Sequence, residues 1–171
     1  MLIYIITSYH IFMKGFITNI EQDTLNNTNF RKVLYTGKHG QVVVMCLQPG
    51  EDIGMEVHTG LDQFFRVDKG QGKVIMDGEE FTFSDGFAFV VPDGTNHNII
   101  NTSTTDTLNL YTIYMPANHP DGTIHATKAE AMAAEEAHHA AEANSDVESD
   151  SAELEDVEET DEDEDEDSDE E

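Results

Sequence analysis

GFAFVVPDGTNHNIIN, residues 86–101, joins a β-rich run to a tight-turn signal and then to a histidine. The β-branched and aromatic residues of Phe87–Val91 predict a strand. Pro92-Asp-Gly94 predicts a tight turn, and the turn leads into a second strand that carries His97. Since side chains alternate along a strand, Ile99 and Asn101 share the face of His97. The stretch therefore predicts two neighbouring strands, the second presenting an imidazole on one face.

Residues 50–70, GEDIGMEVHTGLDQFFRVDKG, place further polar side chains at strand spacing. Glu56 and His58 are two residues apart, so on a strand they project from the same face. Gln63 heads the next predicted strand, with Phe65 on its face. If these faces and the face of His97 look into one barrel, a carboxylate, an amide oxygen and two imidazoles converge. Mixed nitrogen and oxygen donors suit manganese, iron(II), zinc, nickel or cobalt, and do not choose between them.

The chain around these two stretches has the composition of an all-β domain. Short runs rich in β-branched and aromatic residues predict strands; the runs are Val42–Leu47, Gln63–Val67, Lys73–Met76, Phe81–Phe83, Phe87–Val91 and Leu108–Tyr114. Asp77-Gly78 lies between two of these runs and is a strong hairpin signal, because both turn positions need a positive φ. Many short strands at regular spacing indicate a sandwich or barrel, and we expect six to eight strands over residues 16–116.

The spacing of both stretches resembles the motifs of the cupin superfamily. Residues 86–101 match the second cupin motif, G-x5-P-x-G-x2-H-x3-N, at every anchor. Residues 50–70 match the first motif, G-x5-H-x-H-x4-E-x6-G, with Glu56 at the first histidine position and Gln63 at the glutamate position. The resemblance implies a single cupin double-stranded β-helix, a jelly-roll barrel. It also implies one divalent metal ion, held by Glu56, His58, Gln63 and His97.

The resemblance leaves three functional hypotheses open. The donor set is similar to that of zinc-dependent phosphomannose isomerases, and small stand-alone cupins of this kind resemble the type called mannose-6-phosphate isomerase-like. This similarity implies an isomerase-like enzyme acting on a sugar or organic acid, with Asp62 beside the site as candidate general base. A dioxygenase or decarboxylase that uses iron, manganese or nickel is one alternative. A non-catalytic ligand-binding or sensing module is the other.

Two kinds of segment flank the predicted barrel. Residues 1–15 begin with MLIYIITSYHIF, which is either an extra N-terminal strand or an extension from an upstream start site. Residues 117–143 read as a loop followed by a short Ala- and Glu-rich helix, for which Thr127 and Glu130 form a capping box. Residues 144–171 carry many carboxylates and few apolar side chains, so we predict a disordered acidic tail.

The charge of the chain limits its partners. The net charge is −28, but 19 of the 36 acidic residues lie from Glu142 onward, so the body is only mildly acidic. Without a basic patch the sequence does not predict a nucleic-acid partner. The first twelve residues are too short to span a bilayer and lack the basic region of a secretory signal. We therefore expect no membrane partner, a cytoplasmic protein, a small-molecule ligand or substrate, and a homodimer of the kind that single-domain cupins form.

Overall fold

The computed structural model describes residues 15–137, which fold into nine strands and two helices. In chain order the elements are α1 Ile20–Asn26, β1 Arg31–Thr36, β2 Gln41–Leu47, β3 Asp62–Lys69, β4 Gln71–Met76, β5 Glu79–Ser84, β6 Ala88–Val91, β7 His97–Asn101, β8 Leu108–Met115, β9 Ile124–His125 and α2, described over residues 128–137. Every strand run predicted from the sequence lies within one of these strands or overlaps it.

The strands form two antiparallel sheets that enclose an apolar core. The larger sheet has the order β6-β3-β8-β2-β1-β9, and the smaller has the order β5-β4-β7. Both contribute apolar side chains that are fully buried: Val43, Leu47, Phe65, Val67, Ile99, Leu108 and Leu110. This arrangement confirms the all-β, jelly-roll prediction.

The faces predicted for β3 are those observed. Gln63, Phe65 and Val67 are buried, whereas Phe64 and Arg66 are partly exposed. A strand that alternates in this way has one face in the core and one toward solvent. The alternation therefore brings a polar amide, Gln63, into the interior at the start of the strand.

The hairpin predicted at Asp77-Gly78 connects β4 to β5. Asp77 has a φ of 47° and Gly78 a φ of 88°, as this two-residue turn requires. The turn is also tied to the residue before β7, because the Asp77 N–H donates to the Asn96 carbonyl oxygen at 2.8 Å. In return, the Asn96 N–H donates to Asp77 Oδ1 at 3.0 Å. The hairpin thus helps to fix the point at which the chain enters β7 and presents His97.

Three elements of the described chain, α1, β1 and β9, have no counterpart in the sequence-based prediction. Helix α1 is capped by Asn19, whose side chain accepts from the Gln22 N–H, and Asn109 Nδ2 of β8 donates to the carbonyl oxygens of Thr24 and Asn27. The helix is short and polar, so tertiary hydrogen bonds rather than local pattern determine it. The nine strands also exceed the expected six to eight, since β1 begins with two basic residues and β9 has only two residues.

The chain after residue 116 contributes to the larger sheet, because β9 pairs with β1. The predicted C-terminal helix is present over its described part. The Glu130 N–H donates to Thr127 Oγ1 at 3.2 Å, and the Glu130 carboxylate accepts from the Ala126 N–H at 2.8 Å. Residues up to Glu130 belong to one compact unit and those from Ala131 to a second.

The predictions for the N-terminal run and the acidic tail fall on residues 1–14 and 138–171, outside the described residues. None of the helices within residues 15–137 has the length and apolar character needed to cross a membrane.

Candidate metal centre

The candidate centre lies where Glu56 meets the start of strand β7. Glu56 pairs with His97 of β7 as an isolated antiparallel bridge. The Glu56 N–H donates to the His97 carbonyl oxygen at 2.9 Å, and the His97 N–H donates to the Glu56 carbonyl oxygen at 2.8 Å. The pairing around Glu56 and His58 is limited to this bridge, so the two residues do not lie on a regular strand. Reciprocal hydrogen bonding nevertheless fixes Glu56 directly against His97.

The segment after His58 is bonded to the Pro92-Asp-Gly94 turn. The Gly94 N–H donates to the His58 carbonyl oxygen at 2.9 Å. The Gly60 N–H donates to Asp93 Oδ1 at 2.7 Å, and the Asp93 N–H donates to Asp62 Oδ1 at 3.0 Å. These three bonds hold the first sequence stretch against the turn of the second. The predicted turn thus positions His58 as well as His97.

Three predicted ligands converge. One candidate ligand atom from each of Glu56, His58 and His97 lies within 4.8 Å of the others. His58 Nε2 is 3.4 Å from Glu56 Oε2, and the two imidazole ring centroids are 5.4 Å apart. A carboxylate oxygen and two imidazole nitrogens at this separation are common first-row metal ligands.

Polar atoms of three predicted ligands are buried without hydrogen-bond partners among residues 15–137. Within the described part of the chain, His58 Nε2, His97 Nε2 and Gln63 Oε1 are all buried and accept or donate no hydrogen bond. An unsatisfied buried polar group costs about 1–3 kcal/mol, so native proteins rarely leave three together. A bound cation would satisfy a nitrogen of each imidazole, because one ligand atom from each of Glu56, His58 and His97 lies within 4.8 Å of the others. The residues present therefore fit a divalent metal ion.

The environment of His97 prepares its ring for coordination. His97 is fully buried, and burial lowers the pKa of its imidazole, so the ring is neutral at neutral pH. His97 Nδ1 lies 3.0 Å from the Thr95 carbonyl oxygen. A carbonyl only accepts, so this contact assigns the proton to Nδ1 and leaves the lone pair on Nε2. Backbone contacts of this kind commonly orient metal-binding histidines.

The side-chain amide of Gln63 is buried, with its nitrogen bonded and its oxygen unpartnered within the described chain. Its Nε2 donates to Thr112 Oγ1 at 3.0 Å, which leaves Oε1 as the free end of a buried amide. Gln63 also pairs across the sheet with Tyr114, whose ring stands edge-on to His58 with centroids 5.7 Å apart. Gln63 therefore neighbours on β8 the residue whose ring contacts His58. Its role as a fourth ligand stays a prediction.

Asp62 is turned away from the centre. It lies on the opposite face of β3 from Gln63 and is exposed. Its Oδ1 accepts the Asp93 N–H, so the carboxylate serves the loop-to-turn connection described above. The structure therefore does not bring Asp62 together with Glu56, His58 and His97, and its role as general base stays a prediction.

Two further residues flank the cluster and were not among the predicted site residues. Arg31, the first residue of β1, is almost fully buried, and its Nη2 lies 3.6 Å from Glu56 Oε1. His119 packs edge-on against Tyr114 with ring centroids 5.0 Å apart. Burial and the positive charge of Arg31 lower the pKa of His119 to about 3. The only sequence signal for Arg31 is its place on the same strand face as Val33, and His119 carries none because a loop brings it in.

The chain is similar to known proteins over the region that contains this centre. A cupin domain description matches residues 43–114. The uncharacterized protein YrkC of Bacillus subtilis (strain 168) is 50% identical over 129 residues, which cover 72% of this chain and 69% of YrkC. The uncharacterized protein L612 of Acanthamoeba polyphaga mimivirus is 43% identical over 112 residues, covering 64% and 70% of the two chains. The crystal structure of BH2720 from Bacillus halodurans, 46% identical, matches with a TM-score of 0.69 over 72% of this chain and 97% of that one.

Proposed function

Since this chain belongs to the cupin superfamily, we propose that it is a metal-dependent, isomerase-like enzyme that acts on a small polar metabolite. One observation carries the proposal. Two imidazole nitrogens and a carboxylate oxygen converge within 4.8 Å, and both imidazole Nε2 atoms are buried without a hydrogen-bond partner in residues 15–137. Buried side-chain polar atoms mostly have a hydrogen-bond partner, so two unpartnered imidazole nitrogens beside a carboxylate favour a bound cation.

The ligand set defines the role of each residue. Glu56 supplies the negative charge, His58 and His97 supply nitrogen donors, and Gln63 supplies an amide oxygen as fourth ligand. A divalent ion held by these residues would supply Lewis-acid chemistry toward an oxygen of the bound metabolite. The chain's own contribution is to hold these donors rigidly, through the Glu56–His97 bridge and the bonds from the Pro92-Asp-Gly94 turn, so that little reorganisation accompanies binding.

Elemental analysis of the purified full-length protein tests the metal site. We expect one equivalent of a divalent ion after incubation with zinc, manganese, iron(II), nickel or cobalt. His97→Ala loses this equivalent, whereas the matched control His39→Ala, which changes an exposed histidine in the β1–β2 turn, retains it. No metal in the parent under any of these conditions contradicts the proposal. In that case the barrel is a non-catalytic ligand-binding module.

The identity of the bound metal separates the proposed chemistry from its alternative. Zinc supports isomerisation, because it polarises an oxygen ligand without redox chemistry. Stoichiometric iron, manganese or nickel in the protein as isolated supports a dioxygenase or decarboxylase instead. The homodimer remains a prediction as well. Sedimentation equilibrium of the full-length chain tests it, because a mass of two chains supports the homodimer and a mass of one chain contradicts it.

A further inference from the structure

A row of apolar side chains crosses the outer face of the larger sheet. Phe64 of β3 is paired with Val90 of β6 on one side and with Ile113 of β8 on the other. Ile113 is paired with Val42 of β2, and Val42 with Tyr35 of β1. Cross-strand partners share one face of a sheet, and the alternation along β3 directs this face toward solvent. The five residues therefore form one continuous row over five strands, here called the outer row.

The outer row lies beside a part of the same face that is already covered. Helix α1 lies over the paired residues Cys46 and Asn109, because Asn109 Nδ2 donates to two carbonyl oxygens at the end of the helix, and Cys46 is buried there. In the outer row, by contrast, Val90 is 48% exposed, Tyr35 is also exposed, and the three residues between them are partly exposed. A continuous apolar patch of this kind commonly marks an interaction site.

The chain that precedes α1 approaches one end of the outer row. The Phe16 ring stacks on the Tyr35 ring with centroids 5.2 Å apart, and Tyr35 is the residue of the row on β1. Ile17, the next residue along the chain, is 88% exposed. Residues 1–14 are therefore joined to the folded domain at the Tyr35 end of the row.

The segment joined at this point has the composition and the length to cover the row. Nine of its first twelve residues, MLIYIITSYHIF, are apolar, and none is Asp, Glu, Lys or Arg. Neighbouring strands are about 4.8 Å apart, so five strands span about 19 Å, whereas twelve extended residues reach about 40 Å. The tether beside Tyr35 also gives the segment an effective concentration in the millimolar range at this face, which favours it over a second copy of the chain.

We infer that residues 1–12 dock on the outer row of their own chain. Helix α1 covers one part of the outer face and this segment covers the rest, so that the apolar side chains of both the segment and the row are removed from water. The inference does not depend on the proposed metal site, because Phe64 of the outer row and Gln63 of the candidate centre lie on opposite faces of β3.

The rate at which a thiol in the outer row reacts with a maleimide tests this inference in the full-length protein. Val90→Cys places the thiol at the end of the row farthest from Tyr35. Phe81→Cys is the matched control, because Phe81 is 46% exposed but lies on β5 of the smaller sheet. The parent protein supplies the background rate, since its only thiol, Cys46, is buried. We expect the thiol at position 90 to react at least about tenfold more slowly than the thiol at position 81, because it reacts only when the segment opens.

A second variant removes apolar side chains from the segment and keeps its length. It combines Val90→Cys with four serine substitutions: Leu2→Ser, Ile3→Ser, Ile5→Ser and Ile6→Ser. Its thiol is expected to react as fast as the thiol at position 81, whereas the same four serines leave the rate of Phe81→Cys unchanged. Circular dichroism establishes that each variant is folded. Since docking within one chain does not depend on concentration, the slow reaction at position 90 is expected to persist when the protein is diluted.

The outcomes separate the segment from other occupants of the row. Equal rates at positions 90 and 81 in the chain with its own residues 1–12 overturn the inference. A slow reaction that persists with the four serines, or that is lost on dilution, assigns the row to a second copy of the chain and overturns it as well. If the serine variant is not folded, the comparison of positions 90 and 81 and the dilution still decide.

Discussion

Glu56→Gln separates the structural role of Glu56 from its role as a ligand. The substitution keeps the shape of the side chain and removes the charge that faces Arg31. At 3.6 Å and an effective dielectric constant of 20, the Coulomb energy of the pair is about 4.6 kcal/mol. The Glu56 side chain is 17% exposed, so solvent screening reduces the loss to about 2–3 kcal/mol. For a domain of this size that loss lowers the melting temperature by about 10 °C.

A second substitution restores the balance of charge. Glu56→Gln combined with Arg31→Met removes both charges, so the metal-free double variant is expected to recover about half of the lost stability. Neither variant recovers metal binding, because the carboxylate ligand is absent from both. We expect their metal affinity to fall at least about 100-fold, more than the effect of changing a residue that merely orients a ligand.

Urea unfolding followed by circular dichroism measures the stability, once in the presence of EDTA and once with saturating zinc. The parent protein is expected to gain stability with zinc, and the two variants are not. A Glu56→Gln variant that is as stable as the parent in EDTA refutes the ion-pair reasoning. A variant that is still stabilised by zinc as strongly as the parent refutes the assignment of Glu56 as a ligand.

Substitutions at three residues test separate parts of the structure. Asn101 is buried, its Nδ2 donates to three carbonyl oxygens and its Oδ1 accepts the Ser103 N–H. Asn101→Ala is therefore expected to lower the free energy of unfolding by about 3 kcal/mol. Asn101→Asp is expected to lower it further, because a carboxylate then faces those carbonyl oxygens. The midpoints of urea unfolding for the two Asn101 variants test which of them is less stable. Asp62→Asn is expected to leave metal content unchanged in elemental analysis, because Asp62 lies outside the cluster, and loss of the metal contradicts that placement. The pKa of His119 is lowered to about 3 in the folded state, whereas it is about 6.5 in the unfolded state. The contribution of this difference to the free energy of unfolding is fully present above about pH 6.5 and is lost progressively as the pH falls toward 3. Between pH 7 and pH 5 the parent is therefore expected to lose about 2 kcal/mol more than His119→Phe in urea unfolding.

The fold was predictable because its signals are local. The Asp77-Gly78 turn needs a positive φ at both positions, and the alternation along β3 shows which face is buried. These features depend on a few neighbouring residues. Helix α1 was not predictable in the same way, since the groups that fix it to the sheet include Asn109, more than eighty residues away.

The candidate centre was predictable for its ligands and not for its surroundings. Glu56, His58 and His97 stand at motif spacing, so their convergence follows from the resemblance to a family with a known arrangement. Arg31 reaches the centre from a strand that carries no motif. His119 reaches it through a loop whose position depends on Gln41. Contacts between distant segments of this kind leave no periodic pattern in the sequence.

The bonds between the His58 segment and the Pro92-Asp-Gly94 turn have a consequence for protein engineering. Gly60, Asp62 and Asp93 connect the two stretches through side-chain and backbone groups together. A chimera that takes one stretch from another barrel and keeps the other from this chain breaks those connections and releases His58. The two stretches therefore form a single transplantable module, and a donor set moved to a new scaffold needs the turn along with the ligands.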